Sequence, residues 1–439
     1  MPGDALRNLQ LQTAGVGVTG VSLPHLVAAV PGPASQRWID RLEHTESPGS
    51  TARRAKRKST VAPTGAPSIV WAEAFGSNVV DADGNMFVDL CAGFGVVSVG
   101  HRHPAVVAAG KAQLDKLPHA MGDVFADTQR IELMDRLSEL MRMPRVCLGS
   151  SGSDVIEVAI KTALLATGRS RIVAFEGGYH GLTSAPLAAI GYQTAARKGP
   201  FEAMLGSHVS LAPFGGPLPN LHDVAAVLVE PVQGRGGMRA PPAGWMASLH
   251  QAAHSAGALV IHDEVYCGLG RAGTLLAAEA ERLPNGEELR PDLLCVGKAL
   301  GGGFPISACL GTESVMGVWA SHGNALHTQT FLGNPVGCAM ARAALDVIVD
   351  EHLAARASEL GRRWAAQLRA VPGVRAVTGR GLMLGVVIDD APGSTYRMLQ
   401  RGWIVLPCGE NSEAIGLTPP LTIPEALLEA ATESLSACL

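Results

Sequence analysis

An α/β fold is predicted, with a mostly parallel central sheet carrying helices on both faces and a smaller α+β unit at the C-terminal end. Three features predict it. From Ile69 onward, short apolar runs of strand length alternate with Ala-rich runs of helical period, which is how βαβ units read in sequence. The apolar runs are continuous rather than alternating, as strands covered on both faces must be. After Pro335 this alternation gives way to a long Ala/Leu/Arg helical stretch and then to short strands. The 439 residues are divided as an N-terminal, partly linker-like segment (1–68), a large domain (69–340) and a small C-terminal domain (341–439).

Taken in order, the strands of the large domain are 171–175, 225–230, 258–263, 293–297 and 306–310. Most close on a polar residue or a glycine. In an open α/β sheet the ligand sits beyond the carboxyl ends of the strands, so these closing residues are the first place to look for chemistry. The C-terminal unit is read as a helical pattern over 335–370, strands at 382–388 and 403–406, and a last helix from Pro424.

Composition narrows the function classes. Lys and Arg total 35 against 39 Asp and Glu, a formal charge of −4, which argues against a nucleic-acid binder or a polybasic membrane-surface protein. No run of about 18 apolar residues is present to span a membrane. The stretch 14–30 is interrupted by glycines, Pro24 and His25, and makes a poor secretory leader. The eight cysteines are scattered without a C-x-x-C pair, and read as reduced core thiols of a cytoplasmic protein. The basic run Arg53, Arg54, Lys56, Arg57 and Lys58 reads as a solvated linker face.

Three short segments carry chemistry. Asp263 closes an apolar strand, where a carboxylate must be paired or coordinated because burying an isolated charge is expensive; alone, it also reads as a cap for the next loop. Lys298 closes another apolar strand and is followed by a Gly-rich run. An amine there has a lowered pKa and can attack a carbonyl to form a Schiff base. Ser151, Gly152 and Ser153 precede a helical pattern over 155–165, and small residues at a helix start expose backbone N–H groups to an anion. Ser153 alone also reads as an N-cap. Together, an amine for an aldehyde, an acid for a ring nitrogen and a helix start for a phosphate specify pyridoxal 5'-phosphate.

With these segments in place, the sequence from Ile69 to Leu435 resembles the class III (ω-amino-acid type) aminotransferases of the fold type I pyridoxal-phosphate superfamily. The resemblance is carried by Asp83-Gly84-Asn85, Gly100-His101-Arg102-His103-Pro104, Ser151-Gly152-Ser153, Gly178-Tyr179-His180-Gly181, Glu230-Pro231-Val232-Gln233-Gly234, Asp263-Glu264-Val265, Gly297-Lys298 and Thr330-Phe331-Leu332-Gly333-Asn334-Pro335. It implies that Lys298 binds the cofactor and then moves a proton on the substrate, and that Asp263 holds the pyridinium proton. Val265 and Tyr179 would sandwich the ring, with His180 among the cofactor-binding residues, although Tyr179 and His180 also read as packed turn residues. Ser151, Gly152 and Ser153 would hold the phosphate, joined by Thr330 of the other subunit of a homodimer. Glu230 would join the polar network beside Asp263, or serve as a strand-end structural acid. Arg271 and Glu264 read as scaffold, and the His101–His103 cluster as a turn rather than a metal site.

The substrate end departs from the family. The arginine that usually opens an Arg-Gly-x-Gly-Leu motif is replaced by Thr378, the arginine that follows Tyr-His-Gly in some members is Leu182, and Arg235 stands where Glu often follows Gln-Gly. Three accounts remain open: Arg235 takes over carboxylate recognition, the substrate lacks a carboxylate there, or Arg380 reaches the site from two residues away. Tyr266 occupies a position where some members have Gln. Phe94 and Trp71 are candidates for the entrance, or core residues. The resemblance implies transfer of an amino group from a primary amine or ω-amino acid to a 2-oxo acid. A racemase, epimerase or aminomutase on the same scaffold is the alternative. A non-enzymatic binding protein is disfavoured because Lys298 and Asp263 are both present.

Overall fold

The structure is a computed structural model that describes residues 18–50, 68–323 and 325–439. The basic run from Arg53 to Lys58 and the first residues of the 14–30 stretch lie outside the described residues. Strands β1 (Trp71–Phe75), β2 (Asn78–Asp81) and β3 (Met86–Asp89) begin a four-stranded N-terminal sheet. Strands β4 (Arg145–Gly149), β5 (Arg171–Phe175), β6 (Val209–Ala212), β7 (Val224–Val229), β8 (Leu259–Asp263), β9 (Leu293–Val296) and β10 (Ser307–Gly311) form the central sheet in the order β4-β10-β9-β8-β7-β5-β6. Strands β11 (Ala376–Arg380), β12 (Met383–Val387), β14 (Leu406–Cys408) and β15 (Ala414–Leu417) make the C-terminal sheet, while β13 (Trp403–Ile404) returns to pair in parallel with β3.

The central strands are apolar on both faces because both are covered. Alternate residues of β7 point opposite ways: Ala226 and Leu228 pack with Val155, Ile156, Ala159 and Ile160 of the helix Gly152–Thr167 (α1). Val227 and Val229 pack with Trp245, Met246 and Leu249 of the helix Trp245–Ser255 (α2). This two-sided burial is the strand period of two acting on a sheet with helices on either side.

The mostly parallel reading holds from β9 through β6, but β10 runs antiparallel to both of its neighbours. Nothing in an apolar run encodes its direction. Strand β4 was not anticipated, because its five residues begin with an arginine and include a cysteine and a glycine. The helical stretch 335–370 is two helices, α3 (Pro335–Asp350) and α4 (Leu353–Arg369), broken where His352 takes φ +53°. A left-handed residue ends a helix, and with no Gly or Pro at this point the break was not legible. The run 403–406 also divides: its first two residues join the N-terminal sheet and Leu406 begins a strand of the C-terminal one.

The described residues form no disulfide, and seven of the eight cysteines are buried. Among the described residues no helix is long and apolar enough to cross a membrane. Arg271 is structural, as its surroundings in sequence suggested: fully buried, it donates to the carbonyls of Leu382 and Pro419 and to Ser98 Oγ. It thereby ties the loop after β8 to the C-terminal unit, at a cost in hydration that lowers its pKa to about 10. Arg271→Ala strands these acceptors and is expected to lower the unfolding free energy by about 2–4 kcal/mol in urea titration. Arg271→Lys, without the planar fork, recovers only part of that.

Candidate active site

The central sheet brings its polar strand ends to one edge. Register places Asp263 of β8 opposite Cys295 of β9, Val229 of β7 opposite His262, and Ser307 of antiparallel β10 opposite Gly149 of β4. The residues that follow these strands therefore converge. Lys298, Asp263, Glu230, Ser151, Gly152, Ser153, Tyr179, His180, Val265, Arg235 and Phe94 all line one cavity of about 250 Å³.

Lys298 leaves β9 through Gly297 and takes φ +41°, a left-handed backbone rare for a residue with a side chain and found at functional sites. Its Nζ stands 4.2 Å from the centroid of the Tyr266 ring. Loss of hydration lowers the amine below the ordinary lysine value, against the opposing pull of Asp263 and Glu230. Asp263 is buried with each oxygen engaged: Oδ1 accepts the Val265 N–H at 3.0 Å, and Nδ1 of His180 donates to Oδ2 at 2.7 Å. Glu230, also buried, accepts the N–H groups of Tyr179 at 2.9 Å and Gly234 at 3.2 Å. Burial raises its carboxyl pKa, and the neighbouring Asp263 charge raises it further.

The segment before α1 forms a cradle. Ser151, not Ser153, is the N-cap, its Oγ accepting the Asp154 N–H at 3.3 Å. Ser153 Oγ instead accepts the Leu182 N–H at 3.2 Å, joining the helix start to the loop after β5. Two glycines are required by close approach. A Cβ on Gly152 would lie 2.9 Å from Val265 Cγ1, and one on Gly181, where φ is +121°, would lie 1.9 Å from Ser153 Oγ. An amine, a buried carboxylate, an aromatic face and an open helix N-terminus around one cavity are the donor set that pyridoxal 5'-phosphate requires.

Other residues fall elsewhere. Thr330 is exposed on a turn and does not line this cavity of its own chain. Trp71 is exposed on β1, edge-on to His101 at 5.7 Å, and is no part of the wall. His101 in turn contacts Asp89 at 2.9 Å. Arg380 donates to the Ala277 carbonyl and faces a separate cleft with Pro231, Pro241 and Met246, while Thr378 Oγ1 donates to Gly237 O at 2.8 Å. Arg235 remains: its guanidinium lies 5.0 Å from the Phe94 ring and 5.8 Å from the Tyr179 ring. Tyr266 is a wall residue that was noted in sequence only as a departure. Its hydroxyl lies 3.2 Å from Thr418 Oγ1, and burial pushes its phenol up to about 12.

Comparison with known proteins agrees with this geometry. The sequence pattern of the class-III aminotransferases matches residues 60–439. The acetylornithine aminotransferase of Corynebacterium efficiens is 38% identical over 393 residues, covering 85% of this chain and 93% of that one. That of Methanothermobacter thermautotrophicus is 34% identical over 374 residues, covering 84% and 93%. Among solved structures, the ornithine aminotransferase of Toxoplasma gondii matches with a TM-score of 0.78 at 28% identity, over 92% of this chain and 96% of that chain. An amine transaminase from an uncultivated Pseudomonas species in its PLP-bound form matches with a TM-score of 0.77 at 28% identity, over 86% and 96%. Fold and site thus define a fold type I pyridoxal-phosphate enzyme. Within that class the chain belongs to the class-III aminotransferases; its cofactor is pyridoxal 5'-phosphate and its reaction is transamination.

Glu264, next to Asp263, is a scaffold acid here: its carboxylate accepts the N–H groups of Ala277 at 2.7 Å and Ala278 at 2.9 Å. Burial pushes its pKa up to about 7, against these two bonds. The folded protein thus holds a proton that the unfolded chain releases near the ordinary value of 4.5. The stability this group contributes is full below that pH and is lost as pH rises through 7. Urea midpoints of Glu264→Gln are expected to fall less between those limits than those of the wild type; parallel curves would refute the assignment.

Proposed function

We propose that the enzyme moves an amino group between a primary amine or ω-amino acid and a 2-oxo acid, in a homodimer whose sites each receive Thr330 from the neighbouring subunit. The observation that carries this reading is the meeting of Lys298 and Asp263 in one cavity with the N-terminus of α1. The ornithine and acetylornithine aminotransferases among the relatives support a donor whose reacting amine stands away from its carboxylate.

When bound, pyridoxal 5'-phosphate supplies an aldehyde for the substrate nitrogen and an electron-poor ring for the electron pair released at the substrate carbon. The backbone N–H groups around Ser151, Gly152 and Ser153 hold the phosphate, and the Thr330 hydroxyl joins them across the interface. Tyr179 and Val265 hold the ring between an aromatic and an aliphatic face. Asp263 keeps the proton on the ring nitrogen, and the Val265 N–H and His180 bonds fix the carboxylate in the orientation that task needs. Glu230 holds the Tyr179 backbone in place through its N–H.

Lys298 would hold the cofactor through its amine and would serve as the base that takes and returns the proton at the substrate carbon. Its lowered pKa suits both tasks, because each needs the neutral amine. Arg235 grips the carboxylate of the 2-oxo acid. This is supported by its place on the cavity wall, and by the positions of Thr378 and Arg380, which are engaged with backbone carbonyls elsewhere.

Mixing the holoenzyme with an amine alone is expected to convert the cofactor from its aldehyde to its amine form, read by absorbance, with reversal by a 2-oxo acid. Lys298→Ala abolishes both conversions, and Asp263→Asn slows them roughly 10²–10⁴-fold. Arg235→Met raises KM for the 2-oxo acid about 10- to 100-fold. An unchanged KM would remove Arg235 from carboxylate recognition. Thr330→Val is expected to weaken cofactor retention in a protein that elutes as a dimer; elution of the wild type as a monomer would exclude the shared site.

A further inference from the structure

Tyr266 lines the cavity at a position where some members of the family have Gln, so its part in the site has to be read from its own surroundings. The ring is gripped at opposite edges. A Cβ on Gly95, where φ is +77°, would lie 2.6 Å from Tyr266 Cε2, and one on Gly234 would collide with Cδ1. Two backbones close enough to forbid a methyl group hold the plane of the ring between them. The hydroxyl end is fixed as well. Thr418 Oγ1 donates to the Cys91 carbonyl at 3.2 Å, which leaves the Tyr266 hydroxyl, also 3.2 Å from Thr418 Oγ1, as the donor of that pair. With its phenol pushed up to about 12 by burial, the ring is neutral at neutral pH.

What remains free is one face, and Lys298 Nζ stands over it, 4.2 Å from the centroid. An ammonium at that distance is attracted by the ring quadrupole, and a neutral amine is not. The other groups acting on Nζ come from the surrounding strand ends. Asp263 and Glu230 favour its charge, Arg235 opposes it, and Cys267 is a neutral thiol kept so by burial. Both carboxylates are already engaged, Asp263 by the Val265 N–H and His180, Glu230 by the N–H groups of Tyr179 and Gly234. When Lys298 takes a proton from the substrate carbon, the electron pair of the broken C–H bond stays on the substrate side and Nζ becomes an ammonium. That ion needs a surface that holds it in a place poor in water and still lets the proton go. An aromatic face does so more weakly than a direct ion pair would.

We propose that Tyr266 is a positioning residue for Lys298, its ring face holding the amine in the form that carries the substrate proton. The role belongs to the face and not to the hydroxyl, whose proton is committed to Thr418. The assignment rests on the reading of Lys298 given above.

The test uses the full chain, first freed of cofactor and then loaded. Covalent attachment of pyridoxal 5'-phosphate to the cofactor-free protein needs the neutral amine, so its rate against pH, followed by absorbance, reports the protonation of Lys298. Without the ring the ammonium loses an attraction, and Tyr266→Leu is expected to move the midpoint of this profile about 0.5 to 1.5 pH units lower. Tyr266→Phe keeps the face and with it the wild-type midpoint. The acidic limb of the amine half-reaction of the loaded enzyme moves in the same direction in Tyr266→Leu. An unmoved midpoint in Tyr266→Leu overturns the proposal. So does an equal shift in Tyr266→Phe, which assigns the effect to the hydroxyl and Thr418. If Tyr266→Leu does not fold, Tyr266→Met, which fills more of the ring's place, is read by the same criteria. Borohydride reduction of the loaded enzyme and peptide mapping separate the two assignments: cofactor found on any residue other than Lys298 ends the reading of Lys298, whatever Tyr266→Leu does to the midpoint.

Discussion

The buried carboxylate of Asp263 at the end of β8 is the constraint around which the site is organised. A carboxylate taken out of water without partners is costly enough to be protonated or to unfold its surroundings. Here one oxygen is met by the chain's own N–H two residues on, and the other by His180 from the loop after β5. That second bond fixes the Tyr179–His180 loop, whose backbone is also held by Glu230 from the end of β7. Three neighbouring strands are thereby locked at their carboxyl ends by polar contacts, and the aromatic ring of the loop is placed as a consequence of satisfying an acid.

Much of this was legible because the signals are local. Lys298 and Asp263 sit where an apolar run stops, which marks the functional edge of an open sheet, and Ser151–Ser153 sit where a helical pattern starts. What was not legible depends on partners distant in sequence. The direction of β10, the existence of β4 and the division of 403–406 between two sheets are decided by which strand lies alongside, which a short apolar run does not record. The two-residue register argument for Arg380 failed because an arginine's direction depends on what it finds to bond, and Ala277 O was within reach. Trp71, a candidate for the entrance or the core, is exposed on a strand of the N-terminal sheet and outside the cavity wall.

The two ends of the site are built on different principles. At the cofactor end, charges are engaged pairwise and glycines leave room measured in tenths of an ångström, so that few substitutions are tolerated. At the substrate end, the Arg235 guanidinium is held against the Phe94 and Tyr179 rings. Of the departures from the family pattern at Thr378, Leu182 and Arg235, Arg235 alone lines the cavity.

The parallel pairing of β13 with β3 joins residues more than three hundred positions apart, Trp403 with Val88 and Ile404 with Asp89. During synthesis the N-terminal sheet lacks its fourth strand while the more than three hundred intervening residues are made, an interval of roughly tens of seconds at ordinary elongation rates. Through that interval the edge of β3 beyond Met86, which His25 already pairs, offers unpaired backbone groups to any extended segment nearby. A nascent chain of this enzyme therefore carries one open seam through that interval.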